Sequence, residues 1–202
     1  PWEGGEGKVT SQFILNQLVR AWQHLDARQP QQASELLHAA LHYPENLSEG
    51  RLPGQTDNDI WFWQAICANA QGDETEAMRC LRMAATGDRT INIHSYYNDQ
   101  PVDYLFWQGM ALRLLGEQQT AQQLFSEMKQ WAQEMAKTSI EADFFAVSQP
   151  DLLSLYGDLQ QQHKEKCLMV AMLASAGLGE VAHYESARAE LTAINPAWPK
   201  AA

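Results

Sequence analysis

The side chains best placed for chemistry lie in three polar stretches. His94, Tyr96, Tyr97, Asn98 and Asp99 fall together in TGDRTINIHSYYNDQPVD (86–103). Aromatic rings beside amide and carboxylate groups suit a sugar, because rings cover its apolar face while polar groups bond its hydroxyls. The same mixture also suits a polar protein interface. Trp2, Glu3 and Glu6 stand in the glycine-rich opening PWEGGEGKVT (1–10), and Glu49 in PENLSEGRLPGQTDND (44–59). Glu3, Glu6, Glu49 and Asp99 are the carboxylates from which a glycosidase pair would have to come, since that reaction needs two at a controlled separation. His38 and His42 are four apart, a spacing that presents two imidazoles on one side of a helix. No third ligand or HExxH pattern accompanies them, so they read as solvent-facing histidines and no metal or cofactor is expected. A serine-histidine-aspartate order tied to a nucleophile elbow, a phosphate loop and a CxxC pair are all missing from the sequence, so a stand-alone enzyme is not expected.

The elements that must carry these loops are helical. In DNDIWFWQAICANAQGDETEAMRCLRMAATGD (57–88), Trp61, Ala65 and Ala68 share one helical face, and Ala77, Leu81 and Ala84 line a second segment. Gly72 can supply a left-handed terminator and Asp73 a cap for the next helix. Helices joined so tightly must fold back antiparallel. Moving 44 residues forward meets Leu105, Gly109, Gly116, Ala121 and Phe125, and moving back meets Ala33, Leu37 and Ala40. The series Ala33/Ala77/Ala121 with Leu37/Leu81/Phe125 is an internal repeat, longer than the ~34 residues of a tetratricopeptide unit. The fold expected is all-α: a tetratricopeptide-like α-solenoid of antiparallel helix hairpins with long inter-repeat loops. The hairpins fall at about 11–43, 57–86, 103–136 and 158–195, with a helical insertion at about 141–156, in one domain spanning 1–202. Residues 1–10 read as loop, and Gly177 to Gly179 as the last turn. Trp61, Trp63 and Trp107 are the aromatic candidates for an interaction groove, two of the three being expected to pack.

Composition narrows the partners. The 202 residues carry 14 basic and 25 acidic side chains, a net charge of −11. Such a surface repels phosphate backbones, so nucleic acid is not expected as a partner. No apolar run approaches the ~20 residues of a membrane span. Three scattered cysteines, Cys67, Cys80 and Cys167, read as buried free thiols of a reducing, cytoplasmic setting. The chain opens on Pro1, with neither methionine nor a signal-type sequence, which is what a piece of a longer polypeptide would show.

Three phrases outside the repeats carry a family resemblance: Trp2 to Val9 (WEGGEGKV), Tyr43 to Leu52 (YPENLSEGRL) and Asp143 to Leu153 (DFFAVSQPDLL). The chain resembles the C-terminal region of large bacterial proteins that join a β-sandwich domain, similar to carbohydrate-active sandwich domains, to tetratricopeptide-like repeats. It departs from that family at Ser48, where glycine is frequent, and at Gln149, where leucine is. The resemblance implies an α-solenoid attached to a carbohydrate-related domain and carries over no catalytic residue. The expectation is a non-catalytic scaffold that holds a protein, a peptide or an adjoining domain. The alternative is a set of loops that completes a glycan-binding or glycoside-hydrolase site with an absent domain.

Overall fold

The computed structural model describes residues 8–42, 44–47, 57–91, 102–140 and 158–196. Among them the protein is all-helical: α1 (Lys8–Asp26), α2 (Pro30–Leu41), α3 (Asn58–Ala70), α4 (Glu74–Ala84), α5 (Tyr104–Leu114), α6 (Gln118–Met135), α7 (Leu159–Leu178) and α8 (Val181–Ile194), with one 3₁₀ turn at Glu45–Leu47. The chain divides into two compact units, Pro1–Thr86 and Gly87–Ala202. In the first, α1 packs on α2, α2 on α3 and α3 on α4; in the second, α5 packs on α6, α6 on α7 and α7 on α8.

One turn chemistry joins each pair. Gly72 sits at φ 80°, its N–H donating to the Asn69 carbonyl (3.0 Å) while that of Asp73 donates to Ala68 (3.0 Å). Gly116 (φ 91°) and Gly179 (φ 75°) terminate α5 and α7 with the same two bonds, from Gly116 to Arg113 and Glu117 to Leu112, and from Gly179 to Ala176 and Glu180 to Ser175. This is the Schellman motif, which satisfies the orphan carbonyls of a helix end through a left-handed residue. Between α1 and α2 the residue in that place is Arg28, at φ 58°, with Arg28 bonded to Leu25 and Gln29 to His24. Positions 28, 72 and 116 are spaced by 44 residues, and the fourth turn, at 179, breaks that period.

After each of the first three turns the second helix starts in the same register. Ala33, Ala77 and Ala121 are buried, as are Leu37, Leu81 and Phe125 one turn on, and Ala40, Ala84 and Met128 after them. The first helices present Ala21, Ala65 and Gly109 at matching positions, all buried. Where the second helix carries phenylalanine instead of leucine, the first carries glycine instead of alanine. A Cβ at Gly109 would stand 2.5 Å from both Cε1 and Cζ of Phe125. The same ring also meets Gly177 of α7, where a Cβ would stand 2.5 Å from Cγ and Cδ1. Gly177 is therefore helical and serves volume, not the turn; the chain reverses at Gly179 alone. The expected loop over 1–10 is likewise corrected at its end: Lys8 to Thr10 form the first turn of α1, and Thr10 is buried.

Buried polar groups fix the start of α3. The Asn58 side chain is fully buried, and its NH₂ donates to the carbonyls of Ala84 (2.8 Å) and Thr86 (2.7 Å). These are carbonyls at the end of α4, so one side chain ties the entry of the pair to its exit. Asp57, also buried, precedes it in the left-handed region at φ 45°. At the start of α4 the Asp73 carboxylate accepts from the Glu76 N–H at 3.0 Å, as a cap should.

Candidate interaction site

Three consecutive aromatics on α3 point three ways, because successive helical positions are rotated by about 100°. Phe62 is buried, while Trp61 and Trp63 flank it half-buried. Both indoles lean on the core built by Leu18, Ala21, Leu37 and Ile60. Trp63 also packs against Trp22 of α1 (ring centroids 5.7 Å apart, tilted) and edge-on to Phe62 at 5.7 Å. Next to it, Gln64 exchanges bonds with Ser34 of α2: the serine hydroxyl donates to the amide oxygen (2.8 Å) and the amide NH₂ to the Ser34 carbonyl (3.0 Å). Trp63 is thus a packing residue at the seam between two helix pairs.

Trp61 has a different neighbour. The Arg79 guanidinium of α4 lies 5.1 Å from its ring centroid, a cation–π distance. Glu76 holds that guanidinium in place, its two carboxylate oxygens each accepting at 2.7 Å, from Nε and Nη2. The bonds from Arg79 hold the Glu76 carboxyl below the usual carboxylate range, and the pair raises the guanidinium in turn. Cys80 closes the cluster with its thiol 3.3 Å from Glu76, and burial, reinforced by that carboxylate, pushes the thiol up to about 12. The result is a half-exposed indole roofed by a cation whose side chain remains 50 % exposed. The arrangement can present an aromatic edge and a guanidinium to a carboxylate or to a polar peptide group.

Trp107 lies on α5 in the register position of Trp63 and packs edge-on to Phe106 at 5.0 Å. Trp61 and Trp63 share one helix, whereas Trp107 belongs to the other unit. The remaining sequence candidates, Trp2, Glu3, Glu6, Glu49, His94, Tyr96, Tyr97, Asn98 and Asp99, lie outside the described residues. Sequence reasoning missed Arg79. Its signal was the Glu76/Arg79 spacing of three on α4, which places the two charges on neighbouring positions of one face.

One pairing in the second unit has the composition of a nucleophile and its base. His163 and Cys167 lie one turn apart on α7, with sulfur and Nε2 3.8 Å apart, both buried. The Nε2 faces the Met135 carbonyl at 2.9 Å and must donate to it, so it has no lone pair to take a thiol proton. Burial also raises the Cys167 thiol. The arrangement ties α7 to the end of α6 and activates nothing. No group of three or more histidine, cysteine or acidic side chains among the described residues could hold a metal, and no helix among them is long and apolar enough to cross a membrane. Comparison with protein-family models finds no match, and no solved structure matches the chain.

Proposed function

We propose that the protein is a non-catalytic helical-repeat domain of the tetratricopeptide kind, an α-solenoid of antiparallel hairpins that holds a protein, a peptide or an adjoining domain of a larger, carbohydrate-related bacterial polypeptide. The observation that carries the reading is the recurrence of one turn and one buried register at 28, 72 and 116. A pair of helices of this size cannot bury its apolar stripe alone, and repeated pairs that share their faces generate extended surfaces for partners. Trp61 with its Arg79 roof is the feature on such a surface best suited to an acidic or polar peptide segment. Aromatic and arginine side chains are the residue types that carry most binding energy at protein interfaces.

A displayed library of random peptides screened against the immobilised protein tests this reading. Selected peptides should bind with an affinity that falls at least tenfold on Arg79→Ala, with far-UV circular dichroism unchanged because the side chain is half exposed. Peptides that bind the variant as well as the parent, or no selection above background, would overturn the assignment of this surface. A glycan array run beside it reads the alternative role of the loops. An antibody against the segment, applied to the source cells, checks the larger polypeptide: a native band close to 22.8 kDa would refute that part.

A further inference from the structure

The outer helix of each unit differs from its inner counterparts at one set of positions. In the first unit α2 meets α3 through Ser34, Leu37 and Leu41, which stand six, nine and thirteen residues after the left-handed Arg28. Facing them on α3 are Ile60, Gln64 and Cys67, which stand twelve, eight and five residues before Gly72. Leu37, Leu41, Ile60 and Cys67 share one buried core, and Ser34 and Gln64 exchange two hydrogen bonds between the same helices. The same count back from Arg28 on α1 reaches Asn16, Arg20 and Gln23, and all three are exposed. The same count forward from Gly179 on α8 reaches Glu185, Arg188 and Thr192, which are exposed as well. Arg188 stands where the repeats bury Leu37, Leu81 and Phe125, yet its side chain is 44 % exposed and pairs with Glu185 at 3.6 Å.

We infer that α1 and α8 are closing helices: neither takes a further hairpin on its outer face, and neither joins the end of a second copy. Closure in this sense rests on the helical-repeat reading above, and it limits where a partner can sit. Stacking on α1 would take the Arg20 guanidinium out of water against an apolar helix. A buried charge left without a partner costs more than the contacts beside it contribute. Stacking on α8 would bury the Arg188–Glu185 pair, whose desolvation offsets its attraction. Repeat proteins need polar outer faces of this kind on their terminal repeats to stay in solution. The seam between hairpins is a pair of complementary triads, and each outer helix carries a polar substitute for one of them. A partner or adjoining domain therefore meets the first unit on another surface, such as the one that presents Trp61 and Arg79.

Thiol labelling tests the closure directly. Position 23 is the register twin of Cys67, one on an outer face and the other in a seam, and the three native thiols are buried. In the intact protein a maleimide should label Gln23→Cys and Arg188→Cys roughly a hundredfold faster than the native thiols, at rates independent of protein concentration. Protection of either introduced thiol at higher concentration, or in the native polypeptide of the source cells, would overturn the inference. A graft supplies the second arm. One protein receives the α3 pattern on α1 (Asn16→Ile, Arg20→Gln, Gln23→Cys), and another the α2 pattern on α8 (Glu185→Ser, Arg188→Leu, Thr192→Leu). Sedimentation of an equimolar mixture should show a 1:1 complex, about tenfold or more tighter than either graft forms with the parent. Absence of that complex, with both grafts matching the parent by circular dichroism, would mean that these side chains do not separate an end from a seam, and would also overturn it. Peptide binding at Arg79 is read in a separate assay, so failure of the closure and failure of the proposed surface are told apart.

Discussion

The Phe125 ring packs against two glycines, and the two contacts should respond differently to the same relief. Adding a methyl group at Gly109 puts carbon 2.5 Å from Cε1 and Cζ of the ring. Carbon atoms prefer about 3.5–4.0 Å, so the ring would have to retreat by roughly 1 Å while its inner atoms already pack against Gly177. Overpacking of that kind costs about 1–3 kcal/mol, while Gly→Ala inside a helix returns about 0.8–1 kcal/mol. Gly109→Ala should therefore destabilise the protein by up to about 2 kcal/mol. Phe125→Leu removes Cε1 and Cζ, the atoms in conflict. In that background Gly109→Ala should be neutral or stabilising by up to about 1 kcal/mol, a reversal of sign with a coupling of about 2 kcal/mol. A Cβ at Gly177 instead meets Cγ, Cδ1 and Cδ2, at 2.5, 2.5 and 2.7 Å. Leucine keeps atoms in all three places, so Phe125→Leu should not rescue Gly177→Ala. Urea unfolding of the parent, the three single and the two double variants, followed by far-UV circular dichroism, gives both cycles from shifts in midpoint at constant slope. Additivity of Gly109→Ala with Phe125→Leu to within about 0.5 kcal/mol would refute the volume exchange.

Other consequences are open to the same assay. Arg28 holds a left-handed conformation that its repeat equivalents fill with glycine, so Arg28→Gly should raise stability by about 0.5–1 kcal/mol, and a fall would show that the side chain contributes more than the strain costs. Asn58→Ala removes one buried and one part-buried hydrogen bond and takes from the Ala84 carbonyl its side-chain donor, which should cost about 2 kcal/mol; a loss below about 0.5 kcal/mol would mean that the tie is not needed. Burial pushes the Cys67 thiol up to about 11 and Cys80 up to about 12, from an ordinary 9.0. Because the folded values lie above the unfolded one, the stability due to these neutral thiols is fully present below pH 9 and is lost as pH rises toward 11–12. The unfolding midpoint should fall across that window, less steeply in a Cys67→Ala/Cys80→Ala variant. An equal fall in both proteins would assign it to other groups.

How much the sequence disclosed depended on whether a residue's type announces its task. Gly72 and Gly116 were legible as turns because a left-handed residue after a helix is commonly glycine, and Asp73 as a cap because its carboxylate reaches a free N–H. Arg28 occupies the same conformation without announcing it. Gly177, adjacent to a true turn, looked like part of it, since sequence does not separate a glycine kept for its φ from one kept for its volume. The face drawn through Trp61, Ala65 and Ala68 was half right: the alanines are buried, but Ile60 and Phe62 fill the core while Trp61 stays at its edge. Bulk and hydrophobicity pointed to the indole, whereas the face that α3 turns to α2 and α4 holds Ile60 and Phe62. Of the site, sequence supplied the aromatic residues. It could not supply the guanidinium of Arg79 or the buried amide of Asn58, because those partners are set by how α3 and α4 lie together.

Packing between helices adjacent in the chain also bears on how the protein reaches its fold. Nearly all the partnerships within each unit join consecutive helices, and within each hairpin the loop that must close is short, so the entropy lost before those contacts reward it is small. Chains with such local contact maps fold on the microsecond-to-millisecond scale. Formation of the Asn58 tie requires the whole α3–α4 pair and cannot precede it. Substitutions at this side chain should therefore accelerate unfolding and leave the refolding rate nearly unchanged, marking the tie as a late latch that prolongs the lifetime of the folded unit.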